Sequence, residues 1–344
     1  MSTRRGSELR IHFTRDDLMR IRLADAPDPM WEIVNSLNLL QHGDGRLVFG
    51  AWRRDVLTGR PGDARTAPRL RALTALAPHA SYIPDFLTPA TVCRDLDSGI
   101  AAVLDTPVTR LAADLDTLAS RSAPPPDADL LARGDPRVLR GLGEALRGYH
   151  RTALERYWPS IQECVAADLE VRTRALLRGG AQELLHSLRP RMCWDPPVLR
   201  MAYPVDRDLH LRGRGLWLVP SFFCWRVPVA LADPALQPVV AYPVERPLGW
   251  ADGAEGRGAA ADRLAPLLGP TRARILEIVA RRGCSTTTDL ARAAVVSAPA
   301  VSKHTSVLRE AGLIASRREG KNTLHSATPV GLALLHRGQC PSSR

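Results

Sequence analysis

The stretch that decides the fold is Leu267–Leu335, which reads LLGPTRARILEIVARRGCSTTTDLARAAVVSAPAVSKHTSVLREAGLIASRREGKNTLHSATPVGLALL. It holds three segments that are predicted to be helices, at 271–280, 287–293 and 297–311. Gly312 follows the third segment and is suited to a helix C-terminus. Two short helices joined by a brief turn and followed by a pair of strands predict a helix-turn-helix with a wing.

Residues suited to helix ends delimit these segments. The first segment places Ile275 and Val279 on one face, as expected of a scaffold helix. Either Ser285 or Thr286 can cap the second segment, because a hydroxyl oxygen accepts hydrogen bonds from the free N–H groups of a helix start. Ser297 can cap the third segment in the same way.

The third helix has an inward and an outward face. Its spacing directs Val301, Thr305 and Leu308 toward the scaffold. The outward side chains are small and polar, apart from one lysine, and side chains of this size can enter a DNA major groove and contact base edges. The outward set is Pro299, Ser302, Lys303 and Ser306.

A strand pair is predicted for 313–327, with a turn at Glu319–Asn322 where Gly320 supports a positive φ. Cations near its tip would contact phosphates or the minor groove. Thr328 and the following proline begin a last helix that runs to about His336. The cations of the wing are Arg317, Arg318 and Lys321.

The stretch resembles the winged helix-turn-helix of the ArsR (arsenic-repressor) superfamily along nearly its whole length. Several short motifs carry the resemblance through their order and spacing. The motifs are Thr271-Arg272-x-x-Ile275-Leu276, Val301–His304, Leu308–Leu313, Arg318–Lys321 and Thr328-Pro329-x-Gly331.

Three residues depart from the pattern of this family: Val295 in the inter-helix turn, Ala300 and Thr305. Base preference and local packing are therefore expected to be unusual.

The resemblance implies a homodimer that binds double-stranded operator DNA, with the third helix in the major groove. The family's DNA-contacting positions carry over to four residues of that helix and two of the wing. We add the helix cap and a further wing arginine. For His304, a phosphate contact and a partly buried structural role both remain open. The predicted DNA-binding set is Ser297, Ser302, Lys303, His304, Ser306, Arg317, Arg318 and Lys321.

Many members of this family sense metals through a Cys-rich motif at the start of the helix-turn-helix, or through His and acidic residues on the last helix. This sequence has Cys284 alone and His336 alone at those places. A soft metal needs several thiolates or imidazoles that converge. The six cysteines also lie singly along the chain, with no CxxC pair. We therefore predict no metal site and no cofactor.

The charge of the chain is concentrated toward its end. The formal net charge is +11, and 45 of the 47 basic residues are arginine. Residues 251–344 hold 14 basic and 7 acidic residues, a net charge of +7, whereas residues 1–250 carry a net charge of +4. Lys303 and Lys321 are the two lysines of the chain, and both lie in the basic part. A phosphate-facing module would show this distribution.

The length of 344 residues suits two domains, each large enough for its own core. We predict an α+β protein with a mixed helix and strand domain at 1–250, a linker at 251–258 and a winged helix-turn-helix domain at 259–344. No apolar run approaches the roughly 18 residues of a membrane span, and no apolar signal-peptide core follows the N-terminus. We expect a protein of the cytoplasm with no membrane partner.

Local signals predict several elements in the N-terminal domain. Pro29 suits the first turn of a helix at 28–40, and Thr14 suits the cap of an earlier one. Two parts of this domain resemble the uncharacterised N-terminal region of regulators from high-GC Gram-positive bacteria. Those parts are residues 9–37 and 213–225. The other predicted elements are a strand at Leu9–Phe13, a mainly helical region at 136–188 with a break at Gly179–Gly180, and strands within 196–244, such as 215–220 and 228–231.

The function of residues 1–250 stays open at this point. They contain no Gly-rich phosphate loop, HExxH or GxSxG motif, so no catalytic residues are predicted. Three functions remain open for residues 1–250. They form a domain that binds a small-molecule effector, an enzyme, or an interaction domain that binds no ligand. Eight of the 17 aromatic residues fall in 191–250 and line an effector pocket or, as we favour, fill a β-rich core. They are Trp194, Tyr203, Trp217, Phe222, Phe223, Trp225, Tyr242 and Trp250.

Overall fold

The computed structural model describes residues 7–58, 66–78, 82–91, 93–247, 250–253, 259–282, 285–294, 296–319 and 322–336. The chain separates into two compact units, Met1–Pro247 (unit 1) and Leu248–Arg344 (unit 2). Helices and strands are present in both units, and the fold is α+β as predicted. In the described part of the chain, no helix is both long and apolar enough to cross a membrane.

Unit 1 is built from helices and two sheets. Its described residues contain short 3₁₀ or π segments at Asp85–Leu87, His150–Leu154 and Glu155–Tyr157. The α-helices are α1 Arg15–Met19, α2 Pro29–Leu40, α3 Arg46–Thr58, α4 Thr66–Leu76, α5 Leu96–Leu104, α6 Val108–Ala119, α7 Ala128–Ala132, α8 Pro136–Tyr149 and α9 Trp158–Ser187.

Each sheet of unit 1 has four strands. The first has the order β3-β4-β1-β5, in which β1 runs antiparallel to β4 and parallel to β5. The second has the order β2-β6-β8-β7, in which β6 is parallel to both of its neighbours. The strands are β1 Glu8–His12, β2 Arg22–Leu23, β3 Met192–Asp195, β4 Val198–Ala202, β5 Arg207–His210, β6 Trp217–Ser221, β7 Val229–Ala230 and β8 Val239–Pro243.

The helix starts predicted near the N-terminus are confirmed. The Thr14 hydroxyl accepts from the N–H of Asp17, whose carboxylate accepts from the N–H of Thr14, which is a capping box. Asp28 caps α2, and its second carboxylate oxygen accepts from the N–H of Cys93 at 2.8 Å. Asp28 therefore starts the helix and also ties it to a distant loop.

The predicted break at Gly179–Gly180 is a kink within α9. Both residues have non-helical backbone angles, and Gly180 has a φ of 65°, which favours glycine. The predicted strands at 9–13, 215–220 and 228–231 correspond to β1, β6 and β7, each with ends shifted by one or two residues.

The aromatic residues of 191–250 divide between two environments. Trp194, Phe222 and Tyr242 are almost fully buried and belong to the core, as favoured from the sequence. Tyr203 and Trp225 are only half-buried and line a cavity. The core interpretation therefore holds for the buried residues, whereas an effector pocket lined by the others stays a prediction.

The described part of unit 2 packs five helices and a three-stranded sheet around one apolar core. The helix α11 contacts each of the other four helices. Leu276, Val301 and Leu308 are at most 1% exposed and lie at the centre of the core. The elements are α10 Ala259–Leu268, α11 Pro270–Arg282, β9 Ser285–Thr286, α12 Thr287–Ala294, α13 Ala298–Glu310, β10 Ile314–Glu319, β11 Asn322–Ala327 and α14 Pro329–His336.

The predicted linker at 251–258 stays a prediction. Its first residues belong to a short 3₁₀ helix at Trp250–Gly253, in which Ala251 is buried. Residues 254–258 lie outside the described residues, and α10 begins immediately after them.

Candidate nucleic-acid interface

The helix-turn-helix begins at α12, whose start is closed by a capping box. The Thr286 hydroxyl accepts from the N–H of Asp289 at 3.1 Å and donates to its carboxylate at 2.7 Å. Of the two cap candidates, Thr286 is therefore the one used. The Ser285 hydroxyl is buried and has no hydrogen-bond partner among the described residues.

The recognition helix α13 begins as predicted. The side chain of Ser297 accepts from the N–H of Ala300 at 3.4 Å, and proline occupies the first turn. Val301, Thr305 and Leu308 are all buried, which confirms the predicted inward face. The Thr305 hydroxyl donates to the carbonyl of Ser302 at 3.1 Å, so this polar group is satisfied within the core.

The outward face of α13 presents the predicted polar strip. Ser302 and Lys303 are exposed, and Ser306 is half-buried beside them. Their spacing of three and four residues places them on one face of the helix. His304 is half-buried at the edge of this strip. The strip therefore offers one long cation and two hydroxyls, which can reach phosphates or base edges.

The wing consists of β10 and β11. Arg317 lies opposite Leu324 and Arg318 lies opposite Thr323 in the antiparallel register. Since neighbouring residues of a strand point to opposite faces, these two exposed arginines project from opposite sides of the wing. Lys321 and Gly320 lie outside the described residues, so the predicted contact of Lys321 stays a prediction.

A third strand, β9, extends the wing sheet and was not predicted from the sequence. It pairs with β11 so that Ser285 lies opposite His325. His325 is 4% exposed, and its ring contacts two hydroxyls: Ser316 Oγ lies 2.8 Å from Nδ1, and Thr287 Oγ1 lies 3.1 Å from Nε2. Burial, with a smaller contribution from the positive charge of Arg309, lowers the pKa of His325.

The contacts of His325 join both strands of the wing to the first residue of α12. Sequence reasoning missed this role, because a histidine in a strand gives no sign of its cross-strand partners. The neutral imidazole can donate from one nitrogen and accept at the other. The ring therefore fixes the wing relative to the start of the helix-turn-helix.

The flanking helices of unit 2 contact each other and leave apolar side chains exposed. The helix α10 packs against α14. Leu267 on α10 is 70% exposed, and Val330 on α14 is 62% exposed. Exposed apolar side chains on neighbouring helices are candidates for an interface with another chain.

The positions considered for metal binding are only partly described. Cys284 and the side chain of His336 both lie outside the part of the chain that the structure describes. Within the described ranges, no three His, Cys, Asp or Glu side chains form a group that could hold a metal ion.

The sequence of the helix-turn-helix matches a known protein family. Residues 269–316 match the model of the bacterial regulatory proteins of the arsR family. The match begins at the start of α11 and ends within β10, and it includes the whole of α13. An ArsR-type helix-turn-helix supports a DNA-binding transcription regulator. No curated protein matches the chain.

Proposed function

We propose that this chain is a sequence-specific DNA-binding repressor that acts as a homodimer and does not respond to metals. The observation that carries the proposal is the exposed strip of Ser302, Lys303 and Ser306 on a capped helix inside the ArsR-family match. The net charge of +7 on residues 251–344 supports it, because cations increase affinity for the phosphate backbone.

The proposed complex places α13 in the major groove. Lys303 contacts guanine or a phosphate, and Ser302 and Ser306 contact base edges. Ser297 and His304 contribute at the ends of this strip. The wing lies on the flanking backbone, where Arg317, Arg318 and Lys321 supply positive charge.

The proposed dimer uses the flanking helices α10 and α14. The support is the pair of exposed apolar side chains, Leu267 and Val330, on helices that contact each other. A two-fold dimer presents one α13 to each of two half-sites, so the operator is expected to be roughly palindromic.

The remaining parts of the proposal concern location and control. We place the protein in the cytoplasm and assign unit 1 to effector binding, to dimerisation or to both, rather than to catalysis. A small-molecule effector would change DNA binding only if it bound one arrangement of the recognition helices more tightly than another. A relation of residues 9–37 and 213–225 to the uncharacterised N-terminal region of regulators from high-GC Gram-positive bacteria is part of the same proposal.

Binding of the full-length protein to duplex DNA selected from a random pool tests the proposal. Affinity would be measured over a range of salt concentrations for the wild type, Lys303→Ala, Arg317→Ala, Arg318→Ala and the double variant Arg318→Ala/Lys321→Ala. Each lost phosphate contact is expected to lower the salt slope by about 0.9. Because Arg317 and Arg318 project from opposite faces, we expect one of the two single variants to have the larger effect.

The matched control is Arg174→Ala, which removes an exposed arginine from α9 of unit 1. It should leave both the affinity and the salt slope unchanged. The assigned binding face is wrong if Lys303→Ala and the double wing variant both bind DNA as the wild type does.

A further inference from the structure

A cavity of about 270 Å³ lies inside unit 1. Three parts of the chain form most of its walls: one face of α2, the segment from Tyr82 to Thr88, and the segment from Phe223 to Ala232. The lining is completed by His42, Asp44, Tyr203 and Pro204. Its volume is close to the lower end of the range of about 300–1,000 Å³ that is typical of small-molecule sites. A ligand of one or two fused rings would fill such a space.

The α2 wall is a single stripe of the helix. Trp31, Val34, Asn35 and Asn38 line the cavity at intervals of three or four residues, which places them on one face. Trp31, Val34 and Asn35 are each at most 4% exposed. The amide of Asn35 donates to Ser221 Oγ at 3.0 Å, so this wall is held in place by a buried hydrogen bond.

The opposite wall is anchored by a buried carboxylate. Glu32 lies on α2 beside the stripe and is fully buried. Its two oxygens accept from the N–H groups of Phe222 at 2.6 Å and Phe223 at 2.9 Å, where the wall segment begins. Arg226, within that segment, has a φ of 61°, a conformation that few residues other than glycine adopt. The wall is thus tied to α2 rather than free to collapse into the cavity.

The polar groups of the third side already have partners. Tyr82 donates to Asp114 at 3.0 Å, and Tyr203 donates to the carbonyl of Ala230 at 3.3 Å. The buried carboxylate of Asp85 accepts from the N–H groups of Ala232 and Asp233. These groups offer no unpaired buried charge to a ligand.

The other ionisable side chains in the lining are His42, Asp44 and Arg226. Asp44 and Arg226 are exposed to water, and the His42 ring already lies 4.0 Å from the carboxylate of Asp44. A charged ligand group in the apolar part of the cavity would therefore lose its hydration without meeting a buried counter-ion. That loss is costly. The lining consequently favours an uncharged ligand.

Two indole N–H groups beside the cavity lack acceptors. Trp31 Nε1 and Trp225 Nε1 are buried, and neither has a hydrogen-bond partner in the described part of the chain. Both side chains line the cavity. A buried donor without a partner is costly, so a side-chain rotation that brings one of these N–H groups to a ligand oxygen would stabilise the complex.

We propose that this cavity binds an uncharged aromatic molecule of one or two rings that carries a hydrogen-bond acceptor such as a carbonyl. The rings of Trp31, Tyr203, Phe223 and Trp225 provide flat apolar surfaces against which an aromatic ring packs well. The binding of this ligand does not depend on the DNA-binding proposal. Only the role of the ligand as an effector of DNA binding rests on that proposal.

Calorimetric titration of the full-length protein tests the proposal with four probes. Coumarin has two fused rings, a carbonyl and no charge, naphthalene lacks the acceptor, coumarin-3-carboxylate adds a negative charge, and cyclohexanone lacks the aromatic ring. We expect coumarin to bind most tightly of the four. The proposal is overturned if coumarin does not bind, or if coumarin-3-carboxylate or cyclohexanone binds more tightly.

Variants locate the site. Val34→Phe fills the cavity from α2 and should weaken coumarin binding by roughly tenfold or more. Ala230→Val, on β7, fills it from the other wall and serves if the first variant does not fold. Leu177→Ala removes a side chain that is 81% exposed on α9 and should leave coumarin binding unchanged.

The acceptor is tested by Trp31→Phe and Trp225→Phe, each of which keeps a ring and removes an N–H. We expect at least one of them to weaken coumarin binding while sparing naphthalene. Unchanged coumarin affinity in both variants would refute the hydrogen bond from an indole N–H to the ligand. Unchanged coumarin affinity in Val34→Phe and Ala230→Val would refute the location of the site. Measuring DNA binding on the same preparations separates these outcomes from a failure of the DNA-binding proposal.

Discussion

His325 Nδ1 lies 2.8 Å from Ser316 Oγ across the two strands of the wing. Through its other nitrogen, the same ring contacts Thr287, the first residue of α12. One buried imidazole therefore connects the wing with the helix-turn-helix. Its position matters for the proposed DNA complex, in which the wing and α13 contact one duplex together.

Replacing this imidazole should loosen the wing. In His325→Leu, the hydroxyls of Ser316 and Thr287 lose their shared partner, and we expect a loss of about 1–3 kcal/mol in the free energy of unfolding of unit 2. Hydrogen exchange of the β10 and β11 amides measures the change. Thr323→Ala, at a half-exposed position of the same strand, should cost less than about 0.5 kcal/mol. Equal protection in the wild type and His325→Leu would rule out the connecting role.

His325 in unit 2 and Glu32 in unit 1 should contribute to stability with opposite pH dependence. In unit 2, burial lowers the pKa of His325 from its ordinary 6.5, so its contribution to stability is complete above pH 6.5 and is lost as pH falls below that value. In unit 1, burial raises the pKa of Glu32 from 4.5 to about 7, so its contribution is complete below pH 4.5 and is lost as pH rises toward 7.

Wing hydrogen exchange and tryptophan fluorescence during denaturation distinguish the two effects. Each group changes stability by at most about 1.4 kcal/mol per pH unit. Glu32→Gln should lower stability, because an amide has one acceptor for two backbone N–H groups, and should also flatten the pH dependence of unit 1 between pH 4.5 and 7. A pH dependence of unit 1 identical to that of the wild type would contradict the titration of Glu32.

Gly331 should not accept a larger residue. A Cβ at this position of α14 would overlap the backbone carbonyl of Leu313. We expect Gly331→Ala to destabilise unit 2 by about 2–4 kcal/mol, because backbone must move to relieve the overlap. Gly141→Ala on α8 is the matched control: its Cβ would meet no atom within 4 Å, and it should be neutral or stabilising. Chemical denaturation of the three proteins measures the difference, and similar values for both variants would contradict the assigned contact.

The proposed dimer predicts a difference between two exposed leucines. Leu267→Glu places a charge on α10 at the proposed interface and should raise the dimer dissociation constant by roughly tenfold or more. Leu177→Glu makes the same change on α9 of unit 1, outside the proposed interface of α10 and α14, and should change the constant less than Leu267→Glu does. Analytical ultracentrifugation across a range of protein concentrations measures both. A Leu267→Glu protein that dimerises like the wild type would show that α10 is not the interface.

The sequence by itself determined the local structure and the outward face of the recognition helix. Capping residues such as Thr14 and Ser297 act on N–H groups three positions away, so their effect can be read from spacing alone. The helical period likewise separates buried Val301 and Leu308 from exposed Lys303. The kink at Gly179–Gly180 was also visible, because it depends on the backbone freedom of the residues themselves.

Only the tertiary structure decided which distant residues meet. His325 and Thr287 are 38 positions apart, and Glu32 and Phe222 are 190 positions apart. Strand β9 has only two residues and exists because β11 pairs with it. The cavity of unit 1 likewise depends on the separation of walls from three parts of the chain. Such contacts follow from how the chain packs over long sequence distances, and no local pattern records that packing.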